Sequence, residues 1–99
     1  MYTIQTPYEV QQRLAKQEKL VVIDVREDFE WVRGHIPQAK HIPLSELPDR
    51  MNELDPNLET ILVCHSGNRS NKACDYLHEH GYRVVNMSGG MSNWFWEVV

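Results

Sequence analysis

Cysteine is scarce in this chain. Cys64 and Cys74 are the only two in 99 residues, too few for the disulfide framework of a small secreted domain. Long apolar runs are also missing. The longest aliphatic stretch, Leu20 to Ile23, is far short of a membrane span. The opening residues Met1 to Gln5 have neither the basic nor the apolar region of a signal peptide, so a cytoplasmic location is expected. Neither sign of charge forms a block. The formal charge of −4 comes from 14 acidic and 10 basic residues spread along the chain, which argues against nucleic acid as a partner. The five histidines show no recognised metal spacing, and no metal or cofactor is expected. There is no linker, repeat or low-complexity tract, and residues 1–99 are expected to form one domain.

What is present is an alternation of helical and extended signals. Thr6-Pro7-Tyr8-Glu9 has the form of a helix start, with a capping threonine, proline at the first helical position and glutamate three residues after the cap. Leu20-Val21-Val22-Ile23 and Thr60-Ile61-Leu62-Val63 are apolar without alternation, as in parallel strands covered on both faces. Briefer extended segments fall at Lys40 to Ile42 and Val84-Val85. Short helical stretches are predicted over 27–34 and 44–51, the second interrupted early by Pro48. A longer helix carries Ala73 and Leu77 and stops at Gly81, and a last short helix bears Trp94. This order predicts an α/β fold with a mainly parallel sheet. Ligands in such sheets gather at the carboxyl ends of the strands.

The segment Cys64-His65-Ser66-Gly67-Asn68-Arg69-Ser70 runs from one strand directly into one helix. Several backbone N–H groups should therefore converge on the Cys64 sulfur. Gly67 permits a turn closed to larger residues, Asn68 tolerates left-handed geometry, and Ser66 or Ser70 can cap the helix. The helix dipole and Arg69 both favour negative charge, and such settings favour a thiolate. A buried structural cysteine is the alternative, but Gly-Asn-Arg-Ser is poor core material. Cys74, further along the helix, reads as a small buried residue and not as a resolving thiol. Asp24 and Arg26, with Glu30 and His35, read as a network organising the same sheet edge. The aromatics Tyr76, Trp94, Phe95 and Trp96 fit either core anchors or a docking surface.

Cys64 to Ser70 resembles the rhodanese active-site pattern Cys-x-x-Gly-x-Arg-Ser. Ile23-Asp24-Val25-Arg26-Glu27 and Gly34-His35-Ile36-Pro37-Gln38-Ala39 resemble that family's upstream signature, and Gly89-Gly90 with Trp94 its closing segment. The resemblance implies a rhodanese-like fold, a central parallel sheet of about five strands flanked by helices on both faces. It also implies sulfur transfer: Cys64 would take a sulfane sulfur from a small donor such as thiosulfate, or from a persulfide-bearing protein, and pass it to a thiol or cyanide acceptor. His65, Ser66, Gly67, Asn68, Arg69 and Ser70 would bind the donor and the persulfide. Arg69 would steady the anionic donor, although His65 and Ser66 stand where thiosulfate-specialised members can carry further basic residues. Two alternatives remain: a non-catalytic module of the same family, and a cysteine phosphatase or arsenate reductase. The second needs five residues between cysteine and arginine, whereas four lie between Cys64 and Arg69.

Overall fold

A computed structural model describes residues 2–99. Five strands, β1 (Thr3–Gln5), β2 (Leu20–Asp24), β3 (Ala39–His41), β4 (Glu59–Val63) and β5 (Val84–Met87), form one sheet in the order β1-β5-β4-β2-β3. Every pairing is parallel. The aliphatic runs are central for the reason their composition suggests: side chains alternate across the sheet, so a strand covered on both faces needs apolar residues in succession.

One face presents Ile23, Leu62 and Val84 to Ala73, Cys74 and Leu77 of helix α4 (Asn68–Glu79) and to Leu47 of α3 (Leu47–Arg50). The opposite face presents Val22, Ile61, Val63, Val85 and Met87 to Val10 of α1 (Pro7–Ala15) and to Trp94. Burial of aliphatic side chains of this size is worth roughly 1.5–3 kcal/mol each before chain entropy is subtracted, so the two layers hold the sheet between them. Among the described residues no helix is long and apolar enough to cross a membrane.

Local signals account for most element ends. Thr6 caps α1 through its hydroxyl, with Pro7 in the first turn and Glu9 completing a capping box. Pro48 lies in the first turn of α3 and initiates it; the expected interruption is instead a split of 44–53 into two 3-10 turns, Leu44–Glu46 and Met51–Glu53, flanking α3. The segment bearing Trp94 is also a 3-10 turn, Gly90–Asn93, with Trp94 just beyond it. Trp94 is buried, whereas Phe95 is 80% exposed.

The chain goes from β2 outward to β3 and then returns to β4 on the other side of β2. The carboxyl ends of β2 and β4 therefore flank the point where strand order reverses, the place where open α/β sheets leave a crevice. Asp24 ends β2 opposite Val63 of β4, and Cys64 is the next residue.

Candidate active site

Cys64 leaves the end of β4 with its side chain 1% exposed. The Gly67 N–H donates to Sγ at 3.0 Å, and the Ser70 hydroxyl lies 3.3 Å from it. Burial opposes ionisation of this thiol. The Ser70 hydroxyl and the backbone N–H groups of Ser70, Gly67 and Ser66 outweigh burial and hold the Cys64 pKa below its ordinary value. Hydrogen bonds to an ionised acceptor are about twice as strong as neutral ones, and their geometry is supplied here by a loop entering the first turn of α4. The Ser70 hydroxyl also lies 3.2 Å from the Gly67 carbonyl and 2.5 Å from Asn86 Oδ1 of β5, and its one proton is directed to the sulfur when it stabilises the thiolate.

One sequence expectation changes here. Neither serine caps α4; its N-cap is Gly67 at φ +106°, with no side-chain cap, and Ser70 turns its hydroxyl toward the sulfur. Arg69 is anchored beside the loop by a partner outside it. Its guanidinium forms a two-pronged pair with Glu30, at 2.6 and 2.8 Å. His65, Ser66 and Asn68 are exposed on the outer rim of the loop. The structure thus brings Cys64, Gly67 and Ser70 together, and ties Arg69 to a neighbouring element.

That element is α2 (Asp28–Trp31), a single turn too short to stand without tertiary support. Its Trp31 is stacked between two imidazoles, with ring centroids 3.4 Å from His35 and 4.7 Å from His41. Beneath it, buried Arg26 pairs with Asp24 at 2.8 Å and donates to the Gly34 carbonyl at 2.8 Å. The network expected at this sheet edge is present, and it extends to the loop through Glu30. Arg69 lowers the Glu30 pKa to about 2, with burial opposing and backbone contact and Arg26 assisting.

A depressed carboxylate pKa stabilises the fold above the ordinary value, and that stabilisation disappears as pH falls through the folded value. With Arg69 one-third exposed, solvent screening leaves about 1 kcal/mol of the pair's nominal energy. Glu30→Gln should therefore lose about 1 kcal/mol in urea unfolding at neutral pH. The gap from the native protein should close as pH drops from about 4.5 toward about 2. A gap independent of pH would show that the ion pair is not its source.

Behind the loop, the Met91 N–H donates to the Cys64 carbonyl at 2.8 Å and the Ser92 N–H to the His65 carbonyl at 2.9 Å. These bonds clamp the first two loop residues against the Gly89-Gly90 turn. Cys74 is fully buried in the α4 layer, and burial, with Asp75 and Cys64 nearby, pushes its pKa up to about 12. No disulfide joins it to Cys64. Sequence reasoning passed over Asn86 and undervalued Glu30; the Gly89-Gly90 pair was the one available signal for a close backbone approach.

The class is that of a parallel α/β sheet with a cysteine-bearing turn at its switch point, where backbone amides and a serine hydroxyl converge on one sulfur. The sequence matches the Rhodanese-like domain over residues 6–96. It is 44% identical to the Bacillus subtilis protein YtwF over 85 residues, covering 86% of this chain and 82% of that one. It is 40% identical over 84 residues to a sulfurtransferase of Allochromatium vinosum, covering 84% and 78%. The crystal structure of a rhodanese-like domain protein from Staphylococcus aureus superposes with a TM-score of 0.91 at 37% identity, covering 96% of this chain and 93% of that one. The chain belongs to the rhodanese-like family.

Proposed function

We propose that this chain is a sulfurtransferase whose nucleophile is Cys64, working as a single unit over residues 1–99 in the cytoplasm. The observation that carries the reading is the buried Cys64 sulfur, held 3.0 Å from the Gly67 amide with its pKa lowered. In the first half-reaction the Cys64 thiolate attacks the outer sulfur of thiosulfate or of a persulfide. The donor S–S bond breaks, sulfite or a thiolate leaves with the electron pair, and a new S–S bond leaves a persulfide anion on Cys64. In the second, a thiol or cyanide acceptor attacks the outer sulfur and the Cys64 thiolate returns. No general base is required where the lowered thiol pKa favours the thiolate, since the thiolate is itself the nucleophile.

The loop residues divide the work. Amides of Ser66, Gly67 and Ser70 and the Ser70 hydroxyl hold the sulfur anion, and His65 and Asn68 form the rim met by the donor. Arg69, paired with Glu30, keeps the loop in place and supplies charge at its edge. A module that only binds partners has no use for a lowered thiol pKa, and a loop with four residues between Cys64 and Arg69 is too tight for a phosphoryl group with three outward oxygens. The test is intact mass after exposure to thiosulfate and, separately, to a persulfide donor. One added sulfur, located on Cys64 and removed by a thiol, is the expected outcome; no adduct from either donor would refute sulfur transfer.

A further inference from the structure

Three arginines lie in the Cys64 loop or line the cleft that its His65 meets, and two are already committed. Arg26 is paired with Asp24 and Arg69 with Glu30. Arg33, exposed just after α2, has no carboxylate partner among the described residues. It faces a cleft of about 430 Å³ that also meets Phe29, His65, Met91, Trp94 and Val98. His65 is the residue next to Cys64, so the cleft, which Arg26 and Glu30 also line, adjoins the loop that carries the nucleophile. Phe29 and Val98 are 62% and 47% exposed, so one wall offers apolar surface to a visitor.

Building on the sulfurtransferase reading, we propose that this cleft selects an organic persulfide of low molecular weight bearing one carboxylate. Its carbon skeleton rests on Phe29, Met91 and Trp94, its carboxylate meets Arg33, and its outer sulfur points at Cys64. Three observations support this choice of donor. The volume is in the range of small-molecule sites, which start at about 300 Å³. The single unpaired arginine belongs to the segment after α2 and not to the sulfur-binding loop, which suits a ligand whose two charges are separated and not concentrated as in thiosulfate. The apolar wall has no counterpart on an inorganic donor. The transfer balances as R–S–S⁻ plus Cys64–S⁻ giving R–S⁻ plus Cys64–S–S⁻: one S–S bond breaks, one forms, and no outside oxidant is needed.

The test compares two donors of equal size, the persulfides of N-acetylcysteine and of its carboxamide, together with thiosulfate. Second-order rates of sulfur loading onto the full chain are read by intact mass at about pH 8, where an ordinary imidazole is neutral. The acid should load about three to five times faster than the amide, the advantage typical of an exposed ion pair. Arg33→Met should bring the ratio to about one, and Arg33→Glu should reverse it. Arg33 is exposed at a helix end, so both variants should fold. Equal loading of acid and amide by the native protein, or a ratio untouched by both variants, would overturn this proposal and leave the sulfurtransferase reading standing. Loading only from a protein-borne persulfide would overturn it too, and loading from no donor would sink both readings.

Discussion

Cys64→Ser should lose sulfur transfer by at least about three orders of magnitude while keeping most of the protein's stability. Serine is nearly isosteric, and its hydroxyl can keep the Gly67 N–H and the Ser70 hydroxyl as partners. What it cannot do is ionise at neutral pH or carry a sulfur atom in a stable, transferable bond. Cys74→Ser should behave in the opposite way. That sulfur lies fully buried among Leu62, Ala73 and Leu77, with its pKa raised to about 12. A hydroxyl placed there loses apolar contact and should cost about 1–2 kcal/mol, softened by bonding back to a helix carbonyl, while transfer is largely retained. Acceptor-dependent turnover and urea unfolding of the two variants would show the crossed pattern. Transfer by Cys64→Ser, or a folded Cys74→Ser protein without transfer, would place the nucleophile elsewhere.

That crossed pattern reflects which parts of the molecule could be read from the chain. The two central strands were legible because burial on both faces demands apolar residues in succession, and β2 has four at Leu20–Ile23 and β4 three at Ile61–Val63, preceded by Thr60. Strand β1 gave no such signal. It is three residues long, Thr3 and Ile4 are exposed, and it exists only because its backbone pairs with β5 at the sheet edge. The five-strand count therefore came from family resemblance and not from periodicity. The loop was legible for a related reason, since a strand, a Gly-Asn pair and a helix in immediate succession restrict the backbone severely.

The partners of that loop were not legible, because long-range pairing leaves no local trace. Arg69 and Glu30 are 39 residues apart, and nothing in Asp28-Phe29-Glu30-Trp31 distinguishes Glu30 from its acidic neighbours. The stacking of Trp31 between His35 and His41 helps to set the side of α2 that meets the loop. Asn86 was hidden likewise, as one polar residue in an apolar strand that turns out to meet the Ser70 hydroxyl. An unpartnered amide in a buried strand would be costly, so its presence was a clue, though not to the identity of its partner.

Gly90→Ala should disable transfer and destabilise the protein together, by an amount that a helix-ending glycine would not show. Gly90 lies at φ +56°, and a methyl group there would collide with the Cys64 carbonyl oxygen and sit 2.6 Å from both the carbonyl carbon and the oxygen of His65. Those are backbone atoms, so no side chain can rotate away to make room. The turn must retreat, and its retreat stretches the bonds from Met91 N–H to Cys64 and from Ser92 N–H to His65 that clamp the loop. Left-handed strain of about 1–2 kcal/mol adds to overpacking of about 1–3 kcal/mol. A total loss of roughly 2–5 kcal/mol is expected, within the range that marks core or backbone conflict. Gly81→Ala is the control, since Gly81 is at φ +86° with nothing within 4 Å of the added carbon. It should lose only the strain, about 1–2 kcal/mol, and leave transfer intact. Moving the Cys64 carbonyl by a few tenths of an ångström also moves the sulfur away from the Gly67 amide, so the pH midpoint of Cys64 alkylation should rise in the folded Gly90→Ala protein. Urea unfolding and alkylation against pH on the two variants separate these effects. If Gly90→Ala costs no more than Gly81→Ala and leaves the alkylation midpoint where it was, the closing turn does not position the nucleophile.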